Sequence, residues 1–169
     1  GLTGFGASAH LVLALVRHRF PRTKVFVFAR SERERGFARE LGAAWAGTAE
    51  ETPPEKLRAV IDTTPAWKPA VEALRHLAPG GRLVINAIRK EEADKAALLR
   101  LDYPDHLWLE KEIKSVANVT RSDIREFLEA AAETPLRPVV QEFPLAEANR
   151  ALAELKAGTI RGAKVLRTG

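Results

Sequence analysis

Cysteine is absent from the 169 residues, which excludes disulfides and thiolate metal sites within them. No apolar run is long enough to cross a bilayer and no signal-peptide pattern opens the chain, so a soluble protein without a membrane partner is expected, with cytoplasm as the default compartment. A large excess of one charge is also lacking: 27 Lys+Arg stand against 22 Asp+Glu, a net charge of +5. Arg30, Arg33, Arg35 and Arg39 alternate with Glu32, Glu34 and Glu40 and read as a solvated helix face, so no nucleic-acid partner is expected. The four histidines, His10, His18, His76 and His106, never stand four apart as a helical metal pair does. Tyr103, the only tyrosine, is not part of a Tyr-x-x-x-Lys proton-transfer pair, and Ser8 lacks the G-x-S-x-G context of a hydrolase nucleophile.

What is present begins with glycine. Gly4, Gly6 and Ala9 in Gly4-Phe5-Gly6-Ala7-Ser8-Ala9 have the G-x-G-x-x-G/A spacing that joins a parallel strand to a helix beneath a dinucleotide diphosphate. The first glycine permits the turn, the second lets backbone approach phosphate oxygens, and a small third residue lets the helix lie close to the strand. The helix N-terminus then offers free N–H groups and a dipole to the anion. Only Leu2 and Thr3 could be the end of the first strand, so that strand is expected to be largely missing and the sequence to be a fragment.

Helix and strand patterns alternate along the rest, with 46% of residues hydrophobic, enough for one sizeable core. Ala7–Arg19 is apolar on nearly every side and is expected to be a buried helix that Pro21 ends. Lys24–Ala29 reads as a central parallel strand, Ser31-x-x-Glu34 as a capping box opening a helix that Gly42 closes, and Ala44–Ala46 as a brief strand. Thr52–Glu55 reads as a capped helix start, Ala59–Asp62 as a strand and Trp67–Leu77 as a helix. Pro79–Gly81 should turn into a strand over Arg82–Ile88, and Glu112–Ala117 gives a sixth strand. Ser122–Glu133 is an amphipathic helix with Ile124, Phe127, Leu128 and Ala131 on one face. Such alternation predicts an α/β doubly wound parallel sheet, Rossmann-like, over residues 1–134. From Pro135 to 169 the pattern becomes strand (Pro138–Phe143), helix (Leu145–Lys156, closed by Gly158) and strand (Lys164–Leu166), more than one nucleotide-binding sheet needs.

The tip of the second strand bears on the nucleotide. In this fold a carboxylate about 20 positions after the glycines accepts hydrogen bonds from the ribose hydroxyls of NAD. Here that tip is Phe28-Ala29-Arg30-Ser31, a guanidinium beside a hydroxyl, which suits a 2′-phosphate; NADP is therefore expected over NAD, with NAD still possible through Glu32. Two competing roles are a surface pair of Arg30 with Glu34 and a helix cap for Ser31. An S-adenosylmethionine site shares the glycine spacing but also wants an acidic strand end.

These residues resemble the zinc-type alcohol dehydrogenases of the medium-chain dehydrogenase/reductase superfamily, over essentially the whole chain. The resemblance is carried by the run Gly4–His10, by Ala38-Arg39-Glu40-Leu41-Gly42-Ala43, by Leu77–Val84, by Ile113–Arg121, by Phe143–Asn149 and by the close Leu155–Leu166. It implies a Rossmann domain followed by a return segment that would pack on a GroES-like catalytic domain not in this sequence, where the family's zinc ligands lie. It further implies that the loops after Asp62, Asn86 and Ala117 edge the nicotinamide. Thr63, Thr64, Ala87, Ile88 and Asn118 then join Gly4, Phe5, Gly6, Ala7, Ser8, Ala9, Arg30 and Ser31 as candidate cofactor contacts. The sixth strand is expected to pair with its twin in a homodimer or higher assembly. Many relatives carry an arginine where this chain has Ala163, and Arg161 is a possible substitute.

The implied function is the cofactor-binding part of an NAD(P)-dependent, zinc-containing alcohol dehydrogenase acting on a small alcohol or aldehyde. The segment alone is expected to hold no zinc and no catalytic residue and to be inactive. The alternatives are a non-catalytic nucleotide-binding module and a zinc-independent reductase of the same superfamily.

Overall fold

A computed structural model describes residues 1–134, 136–158 and 160–169. Pro135, where the second segment is expected to begin, and Thr159, within the closing motif, lie outside the described residues.

β2 (Phe26–Phe28) shows why the sheet is covered on both faces. Side chains alternate across a strand, and here Val25, Val27 and Ala29 join one buried cluster while Phe26 and Phe28 join another. The first cluster is completed by Ala9 and Leu13 of α1 (Ala7–Arg19) and by Phe37 and Ala38 of α2 (Glu32–Glu40). The second takes Ala70, Ala73 and Leu74 from α3 (Lys68–His76). Burial of apolar surface on both faces of the central strands holds these helices to the sheet.

Around β2 lie β1 (Leu2–Thr3), β3 (Trp45–Gly47), β4 (Leu57–Asp62), β5 (Leu77–Ile85) and β6 (Glu112–Ser115), all parallel, in the order β3-β2-β1-β4-β5-β6. The order reverses between β1 and β4, which makes a crevice at the carboxyl ends of those strands. Short as it is, β1 pairs on both sides: Leu2 stands opposite Val27 and Ile61, Thr3 opposite Phe28 and Asp62. β7 (Val140–Pro144) and β8 (Ala163–Arg167) form a separate two-stranded parallel sheet, crossed over by α5 (Ala148–Lys156). Ala163 thus opens β8.

Several elements differ from their sequence expectation. Thr52–Glu55 starts no helix. Only residues 48–56 connect β3 to β4, and they must pass β2 and β1, about 14 Å of sheet, while also returning the length of a strand. Extended chain advances about 3.3 Å per residue against about 1.5 Å in a helix, so a link without a helix makes that crossing with the fewest residues. α1 is buried on one side only, through Ala9, His10 and Leu13, while Ala14, Arg17 and His18 are exposed. β5 ends at Ile85 rather than Ile88 and already begins at Leu77. The expected turn survives inside it as a bulge: the ladder jumps from Leu57↔Leu77 to Ala59↔Arg82, and Gly80 takes φ +68°. α4 (Arg121–Glu133) forms, yet its apolar face stays open, with Ile124, Phe127 and Leu128 each about half exposed.

Candidate functional site

The glycine turn sits at the carboxyl end of β1, beside the crevice. Gly4 has φ +77°, and a Cβ there would lie 2.9 Å from Thr64 Cγ2 and 3.1 Å from Thr63 Oγ1, so both conformation and space require glycine. Gly6 is different. Its φ is −114°, open to any residue, and an added Cβ would meet nothing within 4 Å. The space that Gly6 leaves is therefore not filled by any described residue. Gly6 is the N-cap of α1, with no side chain capping the helix and no acidic residue in its first turn. The first-turn N–H groups have no intrahelical acceptor, and Ala7 and Ser8 are exposed there. This is the donor set and the dipole end that a diphosphate needs. Phe5 points the other way, 2% exposed and edge-on to Phe37 with centroids 5.5 Å apart, so only its backbone can face a ligand. Ala9, 1% exposed, lets α1 lie close to the sheet.

The tip of β2 is basic. Arg30 is exposed, and Glu34, its expected surface partner, is taken by Ser31: the Glu34 carboxylate accepts from Ser31 N (3.1 Å) and Ser31 Oγ (2.8 Å). Ser31 Oγ in turn accepts from Glu34 N at 3.2 Å, completing the capping box. Glu32 is held by Arg35 and Arg39, and the hydrogen bond from Arg35 keeps its carboxyl below the usual carboxylate range. Sequence reasoning missed Arg35. It donates to the carbonyls of Ala29 (2.8 Å) and Arg30 (2.7 Å), fixing the strand tip from below. The usable signal was its place four residues after the N-cap, where a helical side chain leans back toward the N-terminus.

Beyond β4 the predicted contacts Thr63 and Thr64 are brought against Gly4, but their hydroxyl protons are spent. Thr63 Oγ1 donates to Thr3 O (2.9 Å) and Thr64 Oγ1 to Asp62 Oδ1 (2.8 Å), which leaves backbone and hydroxyl lone pairs toward the crevice. Asp62 is fully buried and accepts from the Thr3 hydroxyl, from Thr64 N (3.2 Å) and from the Lys90 ammonium. Lys90 is the second residue that sequence reasoning overlooked; nothing in local pattern marks it, because its partner is 28 positions away. Ala87 and Ile88 follow β5, with Ile88 wholly exposed, and Asn118 follows β6 with φ +64°, a left-handed conformation that asparagine tolerates.

His10 is a satisfied structural histidine. Val139 N–H donates to its Nε2 (3.3 Å), which assigns the proton to Nδ1, facing Gly6 O at 3.2 Å. It thereby joins the glycine turn to the approach to β7. Arg161 lies over the Phe37 ring, 4.5 Å from its centroid, and pairs with Glu40, so its charge is engaged by α2. Among the described residues no three His, Asp or Glu side chains converge to hold a metal, and with no cysteine in the sequence those residues do not fit a zinc ion. No helix among them is long and apolar enough to cross a membrane.

A family model described as "Zinc-binding dehydrogenase" matches residues 17–166. The chain belongs to the zinc-binding dehydrogenase family. Within that family's reach, it is 38% identical over 166 residues to the "Probable alcohol dehydrogenase AdhA" of Mycobacterium tuberculosis, covering 98% of this chain and 46% of that protein. Among solved structures, the CAD from Helicobacter pylori complexed with NADP(H) superposes with a TM-score of 0.80 at 19% identity, over 98% of this chain and 46% of that one. The alcohol dehydrogenase of Aeropyrum pernix gives 0.77 at 20% identity, over 95% and 47%. At such identities the superpositions establish the fold, a six-stranded Rossmann-like sheet. The chain spans about half the length of the relatives it matches.

Proposed function

We propose that this chain is the cofactor-binding part of an NAD(P)-dependent alcohol dehydrogenase that prefers NADP and acts on a small alcohol or aldehyde. The observation that carries the reading is the uncapped N-terminus of α1 at the crevice, with open space at Gly6 where a diphosphate would lie. Family membership and the name of the mycobacterial relative support the activity, and the NADP(H) complex of the Helicobacter protein supports the cofactor class.

Gly4 to Ala9 would bind the diphosphate through backbone amides, and Arg30, with Ser31 beside it, the adenosine 2′-phosphate. Thr63, Thr64, Ala87, Ile88 and Asn118 would line the nicotinamide end and fix which ring face meets substrate. When bound, the nicotinamide cofactor supplies a two-electron hydride carrier. These residues orient it and screen it from water. The zinc of the family's name we assign to residues outside this chain, in a GroES-like domain, since the side chains here do not fit a metal.

The same reading divides the chain at 134/135 into a Rossmann unit and a return segment. Exposed Leu145, Leu152, Leu155 and Val165 support a covering partner for the latter. It also makes the protein cytoplasmic, where nicotinamide dinucleotides are pooled, and a dimer through the open edge of β6, whose residues are all exposed. Sedimentation at several concentrations tests the dimer.

The decisive test is calorimetric titration with NADP and NAD in parallel, repeated on Arg30→Ala. Loss of a charged contact to phosphate should weaken NADP by about 10–150-fold and leave NAD unchanged. Equal affinities of the parent for both cofactors would remove the NADP assignment.

A further inference from the structure

The Lys90 ammonium is the most enclosed cation near the crevice. Its side chain is 9% exposed and pairs with Asp62, which is 0% exposed. An ammonium has three donors, and all three are used: the Asp62 carboxylate, Thr64 O at 2.9 Å and Ala66 O at 2.7 Å. The ring of Trp67 lies 5.7 Å away. Two further links run between the same segments. Glu91 N donates to Pro65 O (2.8 Å), and the Asp94 carboxylate accepts from Trp67 N (3.0 Å) and Lys68 N (2.8 Å). At the other end Asn86 N donates to Asp62 O (2.8 Å). Residues 87–89 are therefore a short bow pinned at one end to the last residue of β4 and at the other to the segment after it, and Asp62 also holds the Thr3 hydroxyl at the root of the glycine turn.

From this we infer that Lys90 is a positioning residue for the nicotinamide end of the crevice: its ammonium sets the spacing between the loop after β4 and the loop after β5. The inference rests on the cofactor reading above. A lysine that merely stabilised the fold would affect every ligand alike. A clasp at one end of the crevice acts on ligands that reach that end.

The test uses the whole dehydrogenase and three proteins: parent, Lys90→Met and the double variant Asp62→Asn/Lys90→Met. The single variant leaves a buried carboxylate unpaired and should lower Tm by several degrees. The double variant removes both charges and should regain most of that Tm. Affinity is then read for NADP and for adenosine 2′,5′-bisphosphate, which lacks the nicotinamide half. The double variant is expected to bind the bisphosphate within twofold of the parent and NADP about tenfold more weakly. Recovery of NADP affinity along with Tm would overturn the clasp while leaving the cofactor reading intact, as would equal weakening of both ligands. A parent that binds neither ligand would remove the cofactor reading, and the clasp with it. Should neither variant fold, hydrogen exchange on the parent decides. Amides of 64–68 and 87–91 should gain protection together on NADP binding, and independent responses would overturn the clasp.

Discussion

The two glycines of the turn can be separated by one methyl group. At Gly6, alanine meets no neighbour within 4 Å and keeps an allowed φ of −114°. Alanine is a poorer N-cap than glycine by about 0.5–1 kcal/mol, but reducing unfolded-chain freedom returns about 0.4–1 kcal/mol. Folding stability should thus hold within about 1 kcal/mol, a Tm change under about 4 °C for a domain of this size. The methyl nonetheless enters the space in front of the helix N-terminus, where it would displace a phosphate from its N–H donors. Losing one charge-assisted hydrogen bond is worth roughly 1.5–3 kcal/mol, or about 10–150-fold in the Kd for NADP.

At Gly4 the order reverses. A left-handed φ of +77° costs a non-glycine residue about 1–2 kcal/mol. Contacts of 2.9 and 3.1 Å to Thr64 and Thr63 add overpacking of roughly 1–3 kcal/mol, because hydrogen bonds to Asp62 and Thr3 O stop those side chains from giving way. Gly4→Ala should therefore melt some 5–15 °C lower. Thermal melts and NADP titrations on the two variants test the pair. Unaltered NADP affinity in Gly6→Ala would refute the diphosphate assignment, and a parent-like melt for Gly4→Ala would refute the packing argument.

Two other perturbations address the supports of the site. Ser31→Ala breaks the capping box of α2 and should cost about 1 kcal/mol, a fall in Tm of about 2–4 °C; an unchanged melt would show that the box contributes nothing. His76 is buried and stacked on Phe28 with centroids 5.5 Å apart, and burial holds its pKa below 6.5. The unfolded chain then takes up a proton at higher pH than the folded one, so this contribution to stability is complete above the unfolded value and lost as pH falls toward the folded one. Tm measured between about pH 7 and 5 should decline in the parent and decline less in His76→Phe; parallel curves would count against it.

The order of the elements was legible because it rests on local physics. The Ser31–Glu34 box, the β-branched and aromatic run Val25–Phe28 and the left-handed glycines at 4, 42 and 80 each write their conformation into a few neighbouring residues. The spacing of Gly4, Gly6 and Ala9 alone places a helix end there, and with it a row of free donors. Tertiary structure decided what depends on distance in space. The connection through Thr52–Glu55 reads as a helix start, yet it forms none, and it carries the chain from β3 past β2 and β1 to β4. Glu34, the expected partner of Arg30, serves Ser31 instead. Asp62 and Lys90 meet only because β4 and β5 are neighbours, so two ordinary charged residues become a buried pair at the crevice. A sequence carries preferences over a turn or two of chain; which charges lose their water, and against whom, is fixed only when the sheet closes.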